Sequence, residues 1–299
     1  MTAGRIAALR LWTADPEAAA AFYQARLGMA LLGTVPPAGD GGVGLHRLSF
    51  PAEPPEAPVL ELCHRPDAAG RIAPQGRDGE SPVGYWKVGL TVRDIGRAYG
   101  GLADVGVRVG DPPHRFRDIA RLCHLEDLDG YCIELIERSD DLPLPADRAA
   151  AAAPLGSPPV WSQITLRVKD PTASLAFYQD LLGMRLLARM PVPDYRFTLY
   201  FLAFTDETPP DPDLEALGNR DWLWNRPYVT LELQHRWGTE EDPGFAYHTG
   251  ADDPLGFDHI AITLPDRDSL MQRVRRSEAA FLLDPDGYRI SVRSDLAGP

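Results

Sequence analysis

The run Ala-Phe-Tyr-Gln-x-x-Leu-Gly-Met occurs twice in this chain, at Ala21 to Met29 and at Ala176 to Met184, each time shortly after an Asp-Pro pair. An internal repeat of this kind narrows the fold sharply, because one structural plan must serve both copies and be stable beside itself. The copies stay in step beyond that run. Asp15-Pro16 answers Asp170-Pro171, Leu60-Glu61-Leu62 answers Leu231-Glu232-Leu233, and Asp129-Gly130-Tyr131 answers Asp286-Gly287-Tyr288. The C-terminal copy is longer before its Leu-Glu-Leu, where Thr205 to Asn225 intervenes, and shorter before its Asp-Gly-Tyr.

With 299 residues, 44% of them hydrophobic, the chain can build two domains that each bury a core without staples. The stretch from Ser139 to Val160 turns to Asp, Pro and Ala, the composition of a tether. The expected organisation is an N-terminal domain at 1–140, a linker at 141–157 and a C-terminal domain at 158–299. No apolar run is long enough to cross a bilayer, and Met1 to Arg10 lacks the layout of a secretory signal, so a cytoplasmic protein is expected. Cys63, Cys123 and Cys132 show no metal spacing and read as reduced thiols. A formal charge of −13 without any basic run speaks against nucleic acid as a partner.

Each half divides again into two units that begin with a strand and continue into an amphipathic helix. In the C-terminal half, alternation over Ile164 to Val168 leads to Asp170 as a helix N-cap, Pro171 at the first helical position and Gly183 at the stop. Further strands are expected at Arg196 to Phe204, Tyr228 to His235, Phe257 to Leu264 and Tyr288 to Arg293, with a helix from Asp266 to Arg276. The N-terminal equivalents include Ile6 to Trp12, Val59 to His64, Tyr85 to Val92 and Tyr131 to Glu137. Four βαβββ-like units make an α+β chain whose curved mixed sheets carry helices on one face and surround a cleft on the other.

Strand side chains alternate between faces, so the apolar set of each strand defines the opposite, polar set. Packing Ile164, Leu166 and Val168 sends Gln163, Thr165 and Arg167 to the non-helix side. The same parity exposes Thr230, Glu232 and Gln234 on one strand, His259 on another and Ser291 on a third. A Gln oxygen, a carboxylate and an imidazole could serve a divalent cation. Spacing alone equally suits the solvated faces of half-exposed strands. His64 and His235, which follow the two Leu-Glu-Leu runs, fall on the apolar parity and read as structural.

The motifs over residues 160–293 resemble the vicinal oxygen chelate superfamily and, within it, glyoxalase I. They include Gln163-x-Thr165-Leu166-Arg167-Val168-Lys169-Asp170-Pro171, Thr198 to Ala203, Thr230-Leu231-Glu232-Leu233, Gly256-Phe257-x-His259-Ile260 and Asp284-Pro285-Asp286-Gly287-Tyr288. The resemblance implies a hexacoordinate zinc or nickel held by Gln or His, Glu, His and Glu. It carries these roles to Gln163, Glu232 and His259, with a carboxylate as the base that moves a carbon-bound proton through an enediolate. The family's second Glu is Ser291 here, a serine that cannot act as that base. Arg167 matches a glutathione contact, while other contact positions hold Arg236 and Leu255.

Two module pairings stay open. Closed within the C-terminal half, the set is Gln163, Glu232, His259 and Ser291. Closed across halves, Gln163 and Glu232 meet Lys87 and Glu134, and Ala8 and Glu61 meet His259 and Ser291. The resulting expectation is a glyoxalase I-like lyase or isomerase acting on a hemithioacetal or related small carbonyl compound. Glu232 and Glu134 are its catalytic candidates, Arg167, Lys87 and Tyr228 contact substrate, and Gln163, Glu232, His259 and Glu134 are the candidate metal ligands. The metal is zinc or nickel, or is absent if Lys87 takes its place, and glutathione is the co-substrate the resemblance suggests. The alternative is a sequestering protein that uses the same cleft without catalysis, as a monomer or a homodimer.

Overall fold

A computed structural model describes residues 4–37, 42–50, 57–64, 83–139, 154–156, 158–250, 256–274 and 281–293. The linker placed at 141–157 falls almost wholly outside them, as do Leu255 and the far end of the helix expected to reach Arg276. In chain order the first half contributes β1 (Arg5–Trp12), α1 (Pro16–Leu27), β2 (Ala30–Val35), β3 (Gly44–Ser49) and β4 (Val59–His64). It continues with β5 (Tyr85–Val92), α2 (Ile95–Asp104), β6 (Arg108–Val109), β7 (His114–Phe116), β8 (Ala120–Glu126) and β9 (Cys132–Glu137). The second half contributes β10 (Val160–Val168), α3 (Pro171–Leu175), β11 (Arg185–Val192), β12 (Phe197–Ala203), α4 (Gly218–Trp224) and β13 (Thr230–Arg236). It ends with β14 (Phe257–Thr263), α5 (Arg267–Arg273), β15 (Leu282–Leu283) and β16 (Arg289–Arg293).

The repeated motifs act locally as helix punctuation. Asp15 accepts from Ala18 N, Pro16 opens α1, and Gly28 ends it at φ 80°. Asp170 does the same for Thr172 N, and α3 runs on through a wider π-helical stretch, Ala176–Leu181, to Gly183 at φ 81°. A side chain at either glycine would be held in the left-handed region that only glycine enters at little cost.

The strands assemble into two sheets, and each sheet draws on both halves of the chain. A larger, nine-stranded sheet runs β11-β12-β13-β10-β5-β9-β8-β6, with β7 on β8. A smaller, seven-stranded one runs β15-β16-β14-β1-β4-β3-β2. The halves therefore join edge to edge at β10–β5 and at β1–β14, both antiparallel. This is the crossed pairing of units, and the set closed within the C-terminal half does not form. Apolar strand faces and helices bury one continuous core, including Leu9, Leu11, Leu60 and Leu62 on one sheet and Ile164, Leu166, Leu231 and Leu233 on the other. Between the sheets Tyr85 stacks on Phe257 at 5.3 Å, with Tyr131 and Tyr288 edge-on to one or the other.

The second repeated motif ties the two sheets together. Asp284 accepts from Tyr288 N, Asp286 N and the Tyr178 hydroxyl, the last at 2.8 Å, and Tyr288 donates its hydroxyl to Arg167 O. Asp127 accepts in the same way from Tyr131 N, Asp129 N and Tyr23, and Tyr131 donates to Trp12 O. Each Phe-Tyr run and each Asp-Gly-Tyr turn thus form one clamp between neighbouring units.

Candidate functional site

Parallel register across the larger sheet sets Thr165 beside Glu232 and Gly89 beside Glu134. Antiparallel register sets Gln163 opposite Gly89 and Thr165 opposite Lys87. Four side chains from four strands therefore converge on the face away from the helices. Gln163 Nε2 donates to Glu134 Oε2 at 2.8 Å and to Glu232 Oε2 at 2.6 Å, and Thr165 donates to Glu232 Oε2 at 3.0 Å. Lys87 Nζ lies 2.7 Å from Glu134 Oε1 and 3.9 Å from Glu232 Oε2. All four residues are buried, yet they line a cleft of about 670 Å³. Gly89 makes the convergence possible: a Cβ there would stand 2.3 Å from Gln163 Cγ.

The electrostatics follow from burial and proximity. Burial opposes the charge on Lys87, but Glu134 and Glu232 outweigh it and raise its proton affinity, so the ammonium persists. Burial would raise Glu134, and the adjacent ammonium, helped by His124, more than reverses this and holds it well below the usual range. Glu232 is pushed up, by burial first and with Glu134 adding repulsion. Among the described residues, one oxygen of Glu232, Oε1, and Gln163 Oε1 have no hydrogen-bond partner.

Two cleft residues, Trp86 and His124, are not among those expected from the sequence. A β-bulge in β5 leaves Trp86 unmatched between Lys87 and Tyr85, so Trp86 and its neighbour Lys87 both line the cleft. The Trp86 ring carries Lys87 Nζ at 4.1 Å and the Arg167 guanidinium at 4.8 Å, and lies near-parallel to His124. His124, on β8, reaches Glu134 Oε1 at 3.1 Å. Its only sequence signal is parity shared with Leu122, which also faces the cleft.

Other expectations sort cleanly. Arg167 lines the cleft and donates to Gln234 Oε1 and Val83 O. Arg236 lines it too, while Leu255 lies outside the described residues. Tyr228 does not reach the cleft: β13 begins at Thr230, and the phenol turns to Glu207 at 3.0 Å. His259 does not join Gln163, Glu232 and Glu134, because β14 pairs with β1 and so places it on the smaller sheet. His235 is held by Glu240 at 2.7 Å, a structural role. The C-terminal copy is shorter before its Asp-Gly-Tyr, but this cleft is walled by β7, the turn between β7 and β8, and the inserted α4, through Phe116, Ile119 and Trp224.

A divalent cation does not suit these donors. Where the resemblance asks for an imidazole, the larger sheet supplies an ammonium in contact with one carboxylate and near the other, and that charge competes directly with a metal. Among the described residues no three His, Cys, Asp or Glu side chains are grouped to hold a metal ion.

A sequence profile of the Glyoxalase/Bleomycin resistance protein/Dioxygenase superfamily matches residues 5–135 and 161–291. Glyoxalase I of Saccharomyces cerevisiae is 31% identical over 93% of this chain and 88% of its own length. Lactoylglutathione lyase of Schizosaccharomyces pombe is 33% identical over 78% of this chain and 75% of its own. The crystal structure of glyoxalase I from Zea mays superposes with a TM-score of 0.65 over 97% of this chain and 92% of that one, at 21% identity, a likeness of fold. The duplicated motifs, the paired sheets and these relatives together make the chain a member of the glyoxalase/bleomycin resistance protein/dioxygenase superfamily, similar along nearly its whole length to glyoxalase I.

Proposed function

We propose that the cleft of the larger sheet isomerises a hemithioacetal or a related small α-hydroxycarbonyl compound through an enediolate, with the Lys87 ammonium as electrophile. The observation that carries this is the placement of Lys87 Nζ between Glu134 and Glu232 in a buried wall of the cleft. Both oxygens of Glu134 are engaged, by Lys87 with His124 and by Gln163, which suits it to hold the ammonium in place. Glu232 keeps Oε1 without a hydrogen-bond partner among the described residues and is the base.

Glu232 takes the proton from the carbon that bears the hydroxyl, and the C–H electron pair forms the enediolate double bond. Lys87 neutralises the developing oxyanion, in surroundings where such a charge is stabilised far more than in water. Glu232 returns the proton to the neighbouring carbon, while the hydroxyl proton passes between the two oxygens through Lys87. Arg167 and Arg236 in the cleft wall suit a carboxylate-bearing thiol such as glutathione as co-substrate, the substrate half named in the lactoylglutathione lyases.

The test is turnover of methylglyoxal with glutathione by protein stripped with a chelator. Turnover that survives chelation, falls at least ~100-fold in Glu232→Gln and falls similarly in Lys87→Met supports the proposal. Activity that appears only on adding zinc or nickel to the wild-type protein would defeat it. Tight binding of the adduct without turnover would favour the sequestering reading instead.

A further inference from the structure

The smaller sheet repeats the register of the larger one, so every site residue has a counterpart. Arg10 stands beside Glu61 and opposite His259, as Thr165 stands beside Glu232 and opposite Lys87. Ala8 thus takes the place of Gln163, and Ser291, beside Ala261, takes that of Glu134. Both changes put a shorter side chain where Gln163 and Glu134 stand in the larger sheet. The flanking changes run one way: Arg10 stands for Thr165, Arg47 for Phe201, Arg293 for Ile136 and Arg289 for Cys132.

Glu61 needs one cation to be neutralised and has three. Arg10 pairs with it at 2.8 Å, Arg293 at 3.2 Å and Arg47 at 3.8 Å, and Arg47 Nε has no hydrogen-bond partner among the described residues. The bulge residue Asp258 adds a second carboxylate, shared by Arg289 and His259. Among the described residues three arginines meet the single carboxylate of Glu61, a local positive excess in a chain of net charge −13. The three Glu61 partners keep 26%, 36% and 32% of their side chains open, so a solute can reach them.

His259 supplies an independent sign of a ligand. It is 2% exposed, its Nδ1 faces Asp258 Oδ2 at 2.7 Å, and its Nε2 has no hydrogen-bond partner among the described residues. A carboxylate only accepts, so Nδ1 carries the proton and the neutral ring offers Nε2 as a buried acceptor. An O–H group is what that atom lacks. A metal would also suit a bare Nε2, but the surrounding guanidinium groups repel one.

We infer that this face is a second binding site, for a small oxyanion that carries an O–H group, such as hydrogen phosphate or a 2-hydroxycarboxylate. Arg47 and Arg293 hold the negative oxygens, and the hydroxyl donates to His259 Nε2. The site is separate from the cleft of the larger sheet and owes nothing to the reaction assigned there.

Isothermal titration of the full chain with inorganic phosphate, and separately with glycolate, at ionic strength fixed by chloride, tests it. One saturable site per chain is expected, weakened about tenfold or more in Arg47→Gln and in Arg293→Gln, and tightened in Glu61→Gln, where a competing internal carboxylate is gone. Whichever probe binds more tightly identifies the source of the oxyanion. Sulfate, which has no O–H at neutral pH, binding as tightly as phosphate would overturn the hydroxyl requirement. Should Glu61→Gln fail to fold, the partly exposed Arg47 still decides. Absence of saturable binding, or affinity unchanged in Arg47→Gln but lost in Arg167→Gln, would overturn the site.

Discussion

At the scale of single residues, one substitution in the duplicated plan separates two kinds of chemistry. Lys87 and His259 occupy equivalent register positions, opposite Thr165 and Arg10. An imidazole can share a metal with carboxylates, whereas an ammonium replaces the metal's charge outright. Lys87→His in the larger cleft would therefore gather Gln163, Glu134, Glu232 and an imidazole around one point. That variant is expected to bind about one zinc or nickel per chain in equilibrium dialysis, with wild type binding none at that site. Equal metal content in the two proteins would refute the substitution of charge for charge. Gly89 gives a second residue-scale prediction. Gly89→Ala pushes a Cβ into Gln163, and loss of the amide bridge between the carboxylates should cut turnover without unfolding the chain. A crystal structure of the variant with Gln163 unmoved, or unchanged turnover, would count against the bridge. Lys87 itself was legible as a member of the crossed set, because parity and the internal repeat align it with His259. Neither cue could rank the crossed set above the alternative, since pairing across the halves is a choice of partner strand that one strand's sequence does not encode.

Elements went further than single residues in what the sequence could announce. Asp-Pro helix starts and Gly stops fall where the capping chemistry demands, and strands expected at Val59 to His64 and Tyr85 to Val92 hold those bounds. The bulge at Trp86 was not legible, because an alternating pattern assumes one residue per partner and a bulge inserts a second. Tyr228 lies outside the cleft for the related reason that the ladder starts only at Thr230, two residues on. The paired turns carry an element-scale prediction about pH. Burial first of all pushes Asp284 up to about 7 and Asp127 up to about 6. Unfolded, both titrate near ~4, so folding takes up protons between the two values. Their contribution to stability is therefore full below pH ~4 and is lost as pH rises toward ~7. Glu134, held low, works in the opposite sense, its contribution lost only at still lower pH. In denaturant titrations across this window, Asp284→Asn should make the slope of unfolding free energy against pH less negative, by up to about 1.4 kcal/mol per pH unit. Tyr178→Phe should cost about 1–2 kcal/mol by leaving a buried carboxyl oxygen without its donor. An unchanged slope in Asp284→Asn would show that this carboxyl titrates alike in the folded and unfolded chain.

The whole molecule explains why the two sites could part company. Each sheet is completed only by strands from both halves, β10 against β5 and β1 against β14. A half on its own leaves β10 and β14 as open edges, and such edges pair with whatever strand matches them. In two copies of residues 158–299, β10 of one would meet β14 of the other, and symmetry would give both sites the same Gln163, Glu232, His259 and Ser291. Fusion removes that constraint, so one sheet could keep Glu134 with an ammonium while the other gathered arginines. Residues 158–299 expressed alone are thus expected to associate, and light scattering after size exclusion should read a dimer or larger. Adding residues 1–140 in trans should dissolve that association by offering β5 and β1 as the better-matched partners, since the Gln163 and Gly89 pair fits only across that seam. A monomeric C-terminal half with cooperative thermal unfolding would show that the seam is dispensable, and the two sites would then have to be explained without it.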